Sequence, residues 1–532
     1  MKTILSLAVL GMSVQAFAAN PYLPLWEYIP DSEPYVFDDP DHPGKKRVYI
    51  YGSHDNLRSE YCGRDQVVWS APVESLKDWR FDGVIFRSTT DANGEPLNKN
   101  GVADLLYAPD IAEKVGPDGK KTYYLYPNTQ APGRENMVAK SDRPDGPFTV
   151  CNWDPNDPKK TVGPFGFDPA VLVDDDGRVY GYWGFWHSFA AELDPETMAT
   201  VKPGTKIVEN MVSSCRSEGP FRFFEASSIR KIKDKYVFIY SRWTAEGEFG
   251  LGGSNYTLGY AYSDKPLGPW TYGGTIIDGR GRETRPDGKT VATATAGGNT
   301  HGSICEINGQ WWVFYHRQCG TDEFSRQAMV APITVEVEEG PGGKVKISEG
   351  EYTSEGFEIG GLDPFERQAA GIACYYTGPL GAWTSHPNLI HTGSYVRPYY
   401  GELYRQLHNM WDPRFNRSEV VHNTAGSVVG YKYYNFDRTA GKKGLKLELE
   451  IVPQGLDGTV DVWAKRPNAA EGGVKVGSLA VSAAWGDGVR KVAVDVAPLA
   501  SVTGKQALFF TFDSPVKGQS VCELNSLRFS AE

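Results

Sequence analysis

The chain has 532 residues, enough for two or three domains at roughly 150 residues each, and a composition of 40% apolar and 23% charged residues with 59 Gly and 35 Pro excludes a disordered chain, a coiled coil or a collagen-like fibre. Acidic side chains outnumber basic ones, 66 to 55, for a net charge of −11, so a polyphosphate would meet net repulsion and nucleic acid is excluded as a partner. Aromatic residues make up 13%, which suits either a β-rich core or stacking against sugar rings.

In chain order, Met1-Lys2-Thr3, the apolar run Ile4 to Leu10 and the small-x-small triplet Ala16-Phe17-Ala18 predict a cleaved signal peptide over 1–19 and a secreted or periplasmic protein. That run is too short to cross a bilayer, and no later stretch reaches about 20 apolar residues, so no transmembrane segment is expected. Between residues 30 and 335 one pattern returns five times: a polar turn, then an aromatic-rich strand. The strands are Arg47–Tyr51, Lys121–Tyr126, Arg178–Tyr182, Lys235–Tyr240 and Gln310–Tyr315, several preceded by hairpin signals such as Asp118-Gly119, Asp176-Gly177 and Asn308-Gly309. Repeats built of short strands predict an all-β fold with a five-bladed β-propeller over 20–345. Gly340-Pro341-Gly342-Gly343 marks its end, and alternating strands such as Leu445–Ile451, Thr459–Trp463 and Ala507–Phe512 predict a β-sandwich over 353–532. The seven cysteines follow no framework and read as buried small side chains, with Cys305 and Cys319 the closest plausible disulfide pair.

The innermost strands of propeller blades start around one central channel, so residues far apart in sequence converge there. Glu33, Asp110, Asp168, Glu225 and His301 open the five repeats and are expected to line one axial pocket. Carboxylates crowded around one pocket repel, which raises the pKa of at least one and sets a neutral acid beside an ionised base. Glycoside hydrolysis needs that pair.

These residues resemble glycoside hydrolase family 43, whose members are five-bladed propellers. Asp168-Pro169-Ala170-Val171 is similar to that family's third-blade motif, whose Asp orients the general acid, and Phe224-Glu225-Ala226-Ser227 resembles the segment carrying that acid. Tyr107-Ala108-Pro109-Asp110 matches the second-blade motif. Thr300-His301-Gly302-Ser303 resembles the segment whose His sits beside a bound cation, usually calcium, and Ser325-Arg326-Gln327 the one whose Arg reaches the substrate. The resemblance implies an inverting mechanism with Glu225 as acid, Asp168 as its modulator, and a base in the first blade. The family's Asp-Pro pair is here Glu33-Pro34, which makes Glu33 the expected base and Asp31 its competitor. His54, Asp55, Asp110, Trp186, Trp243 and Arg326 are the expected substrate-binding residues, and His301 the contact of a Ca2+ ion. The expected activity is an exo-acting α-L-arabinofuranosidase on oligo- or polysaccharide side chains, with β-xylosidase, β-D-galactofuranosidase and exo-galactanase as alternatives. A retaining fructosidase-like propeller and a non-catalytic sugar-binding propeller are the alternative classes. The C-terminal domain resembles, more loosely, a family 6-type carbohydrate-binding module, with Trp485 as a candidate stacking residue.

Overall fold

The computed structural model describes residues 19–57, 59–295, 297–318, 323–382, 393–398 and 418–532. Residues 1–18 of the expected signal peptide, and Cys319, lie outside the described residues; Cys305 carries a free thiol. Five antiparallel sheets in chain order form the propeller. Blade I comprises Glu33–Asp38, Lys46–Tyr51, Gln66–Pro72 and Arg80–Phe86, and blade II Asp110–Val115, Lys121–Tyr126, Ala139–Ser141 and Thr149–Val150. Blade III holds Ala170–Val173, Val179–Phe185, His187–Leu193 and Val208–Glu209; blade IV holds Phe223–Ile232, Lys235–Thr244, Ser254–Ser263 and Thr271–Asp278. Blade V has three strands, Ser303–Ile307, Gln310–Gln318 and Arg326–Ile333.

The aromatic strand of each repeat is the second of its blade. It packs on both faces against neighbouring blades, which is why it reads as a nearly unbroken apolar run: Val48, Tyr49, Ile50 and Tyr51 are all fully buried. The Asn308-Gly309 turn of blade V has φ of 51° and 80° at its two central residues, the geometry that Asn-Gly favours in a two-residue hairpin.

Closure of the ring rests on three contacts. Ser32 bridges Gly302 in parallel, joining blades I and V; a Cβ on Gly302 would lie 1.9 Å from the Phe314 carbonyl oxygen, so only glycine fits. The Asn20 side chain imitates a strand, donating to Val330 O at 2.7 Å and accepting from Val330 N at 3.0 Å. Below it Tyr22, Leu23, Trp26 and Ile29 fill the seam between blades I and V.

Along the axis, Arg230 of blade IV uses all five guanidinium N–H groups. Nε donates to Ile304 O of blade V at 3.0 Å, Nη2 to Glu33 Oε2 at 2.8 Å and Pro34 O at 3.1 Å, and Nη1 to Tyr35 Oη at 3.1 Å and Ile229 O at 2.8 Å. Tyr35 donates onward to Asp110 Oδ1 at 2.8 Å, whose Oδ2 accepts from Val171 N at 2.6 Å, so every blade is tied to this point. Arg230→Met leaves the buried Glu33 carboxylate without its cation, and is expected to destabilise the propeller by about 3–5 kcal/mol. Urea unfolding followed by tryptophan fluorescence measures it, and a loss below about 1 kcal/mol would show that the axis holds without the cation.

Among the described residues the C-terminal strands form two packed six-stranded sheets. One runs through Cys522–Ser530, Lys446–Pro453 and Arg490–Asp495, the other through Val428–Asn435, Lys505–Asp513, Gly458–Ala464 and Val474–Val481. Their core is continuous with the outer faces of blades IV and V: Val237, Ile239, Leu258, Val313 and Met329 belong to one buried cluster with Leu447, Leu449, Phe510 and Phe529. Arg317, itself buried in blade V, donates to Ala373 O at 2.8 Å and Gly371 O at 2.6 Å across this seam. Trp485 is half-buried and packs on that same cluster, so it does not stand free as a stacking platform. Among the described residues no helix is long and apolar enough to cross a membrane.

Candidate active site

A pocket of about 280 Å³ opens over the propeller axis, with Asp31, Asp168, Glu225, His301 and Arg326 in its polar wall. Backbone geometry explains which side chains reach it. In four blades the residue two positions before the innermost strand faces the pocket: Asp31 in I, Ala108 in II, Asp168 in III and His301 in V. Asp31 and Asp168 share a left-handed backbone, with φ of 59° and 50°, a conformation that short polar Asp tolerates. In blade IV the strand starts earlier and bulges on both sides of Glu225, which puts that carboxyl at the rim of the same pocket.

Glu33 is one layer deeper. It is the first residue of its strand, pairs with Tyr51 and spends its carboxylate on Arg230, outside the pocket. The left-handed turn at Asp31 breaks the alternation that would otherwise place residues 31 and 33 on one side. Of the two first-blade carboxylates, Asp31 therefore lines the pocket and Glu33 does not. Asp110 sits at the equivalent deep position and closes the blade II–III seam instead of touching the pocket.

Asp31 is buried, and burial alone would raise its pKa. Arg326 Nη1 at 3.0 Å, His316 Nδ1 at 3.4 Å and the Ser53 hydroxyl outweigh that and hold the carboxyl below its ordinary value. Arg326 is fixed by a two-pronged pair with Asp55, Nε to Oδ2 and Nη2 to Oδ1, both at 2.8 Å. Asp55 thus acts behind Arg326 and does not line the pocket. Glu225 moves the other way: burial, with the Asp31 charge adding to it, pushes its carboxyl up to about 8. Asp168 is also raised, by burial and by Glu225. Yet Asp168 accepts from Ala226 N at 2.9 Å and Asn128 Nδ2 at 3.0 Å, two donors that favour its ionised form. The proton shared within this pair therefore rests on Glu225.

His54 lies outside the pocket, held between Glu27 at 3.2 Å and Asp65 at 2.7 Å in the blade I interior. Trp186 and Trp243 also stand back from it. They stack on each other at 5.9 Å and pack edge-on against Phe224, and Arg216 covers the Trp186 ring at 3.8 Å. The aromatic pocket wall is instead Tyr61, Tyr107, Phe167, Phe185 and Phe224. Phe167 and Phe224 directly precede the two acids Asp168 and Glu225, the local signal that would have identified them.

Residues 42–340 match the family model of Glycosyl hydrolases family 43. A xylosidase/arabinosidase of Thermoclostridium stercorarium is 38% identical over 391 residues, covering 69% of this chain and 75% of the relative. This chain belongs to glycoside hydrolase family 43. As a member of that family it is a glycosidase, cleaving O-glycosyl bonds on a five-bladed propeller. Among solved structures it is similar to a family 43 arabinoxylan arabinofuranohydrolase from Bacillus subtilis in complex with cellotetraose, with 22% identity and a TM-score of 0.44 over 96% of this chain and 97% of that one. A family 43 β-xylosidase/α-arabinofuranosidase from a compost microbial metagenome, solved with xylotriose in a calcium-free form, covers 62% of this chain and 97% of its own at 22% identity and a TM-score of 0.40.

The donors around His301 bear on a bound Ca2+ ion. Burial lowers the His301 pKa to about 4, so the ring is neutral, and its Nε2 is buried with no hydrogen-bond partner, as are the hydroxyls of Ser227 and Thr300. Among the described residues no cluster of three or more His, Cys, Asp or Glu side chains could hold a metal ion outright. The donor set fits a cation carried mainly by water, with His301 as its protein contact. Such an ion would add positive field to the pocket.

Proposed function

We propose that this glycoside hydrolase family 43 chain is an inverting, exo-acting α-L-arabinofuranosidase acting on plant-type polysaccharide side chains. The observation that carries this reading is the pairing, in one small pocket, of an acid pushed up to about 8 with a carboxylate held low by Arg326. Glu225 protonates the leaving oxygen, Asp31 draws the proton from a water attacking the opposite face, and Asp168 holds Glu225 in place. A volume of about 280 Å³ is at the small end of ligand pockets and suits one terminal sugar, which supports exo action. The relative named xylosidase/arabinosidase supports a pentose glycon and keeps β-xylosidase as the second reading. Hydrolysis of nitrophenyl arabinofuranoside above xyloside, galactofuranoside and galactoside decides between them. Early proton NMR of the released sugar is expected to show the inverted anomer; initial retention would replace the water-activating role of Asp31 by that of a nucleophile.

We further propose that residues 1–19 direct export, on the charge and apolar pattern of that segment, and that the sandwich buttresses the propeller, on the core it shares with blades IV and V. A family 6-type module function for it would require sugar binding elsewhere than at Trp485.

A further inference from the structure

A second cavity, of about 540 Å³, abuts the catalytic pocket, and the two share Tyr107 as a common wall. It is lined by Asn98, Lys99 and Asp104 of the segment that links blades I and II, together with Arg64 of blade I and Gln130 of blade II. A sugar seated in the smaller pocket must send its aglycone out through the pocket mouth, and this cavity borders the pocket at Tyr107.

The charges here are unbalanced. Asp104 is neutralised: Arg134 grips both its oxygens, at 2.9 and 3.0 Å, and Asn98 Nδ2 adds a bond at 2.6 Å. Arg64 donates to the Ala103 carbonyl at 2.6 Å and Lys99 is exposed. Among the described residues neither cation has a carboxylate partner, in a chain of net charge −11. Glu60 is near enough to influence Tyr107 but is not part of the cavity wall. Two uncompensated cations in a concave polar site attract an anion, and Arg forms two parallel hydrogen bonds to a planar carboxylate.

We propose that this cavity is an aglycone subsite for an acidic sugar, with Arg64 and Lys99 receiving the carboxylate of a uronic acid carried on the substrate's main chain. This deepens the exo-glycosidase reading by naming the chemistry of the chain from which the terminal sugar is removed.

The test is calorimetric binding to the intact protein, comparing xylotriose with the same trisaccharide bearing one glucuronosyl branch. The acidic ligand is expected to bind about tenfold tighter at low salt, with the advantage shrinking as salt screens the pair. Arg64→Gln with Lys99→Gln should abolish the advantage while leaving the neutral trisaccharide's affinity within about twofold, and Lys99→Glu, at an exposed position, should reverse it without a folding penalty. Equal affinities for the two ligands in the wild type, or an undiminished advantage in the double variant, would overturn the proposal. Because binding needs no cleavage, these outcomes are independent of the aryl-glycoside panel that tests the glycon assignment.

Discussion

Asp31→Asn is expected to lower turnover by about 10²- to 10⁴-fold, the range a lost general base gives, while sugar binding persists. The side chain lies at the pocket wall with Arg326, His316 and Ser53 keeping it ionised, so the amide removes the proton acceptor and little else. Arg326 retains its two bonds to Asp55, so the wall should not collapse. Glu33→Gln is the informative partner. Glutamine still accepts from Arg230, and turnover should stay within about tenfold, a gap of about 1.4 kcal/mol, even where thermal stability falls. Adding azide to Asp31→Ala gives an independent readout: a small anion in the vacated space can attack the anomeric carbon and yield a glycosyl azide of inverted configuration. The assignment fails if Glu33→Gln is the dead variant and Asp31→Asn turns over normally.

Asp31 and Glu33 show how far the site is legible in the sequence. Repeated aromatic strands and their turns revealed five blades, because their burial on both faces leaves a strong local pattern. The pocket positions of Glu225 and Asp168 are legible for the same reason, each lying at a fixed offset from such a strand. The register across blades was not. Glu33 and Asp110 are first residues of their strands, whereas Asp168 and His301 come two residues earlier, so treating all four alike as the residues that open the repeats mixes a deep layer with the pocket layer. Counting back from the paired strand separates them: Glu33 faces Tyr51 and Asp110 faces Tyr126, as Ala170 faces Tyr182. A left-handed φ at Asp31 leaves no mark in composition. Nor does burial behind another side chain, which is why Asp55 and the two tryptophans looked like sugar contacts.

Glu225→Gln is expected to cut hydrolysis of natural oligosaccharides by about 10²- to 10⁴-fold and to harm nitrophenyl glycosides far less, since a phenolate leaves without a proton. Equal loss on both would mean that Glu225 holds the sugar and does not protonate it. The pH dependence gives the same residue a second signature. Glu225 acts only when protonated, so kcat/KM on a natural substrate should fall on the alkaline side with an apparent pKa near 8, whereas Asp31 must be ionised and sets an acidic limb below the usual carboxylate range. Asp168→Asn removes a like charge that interacts with Glu225. The acid then ionises more readily, and the alkaline limb should move to lower pH. A merely structural Asp168 would reduce activity at every pH and leave that limb where it was.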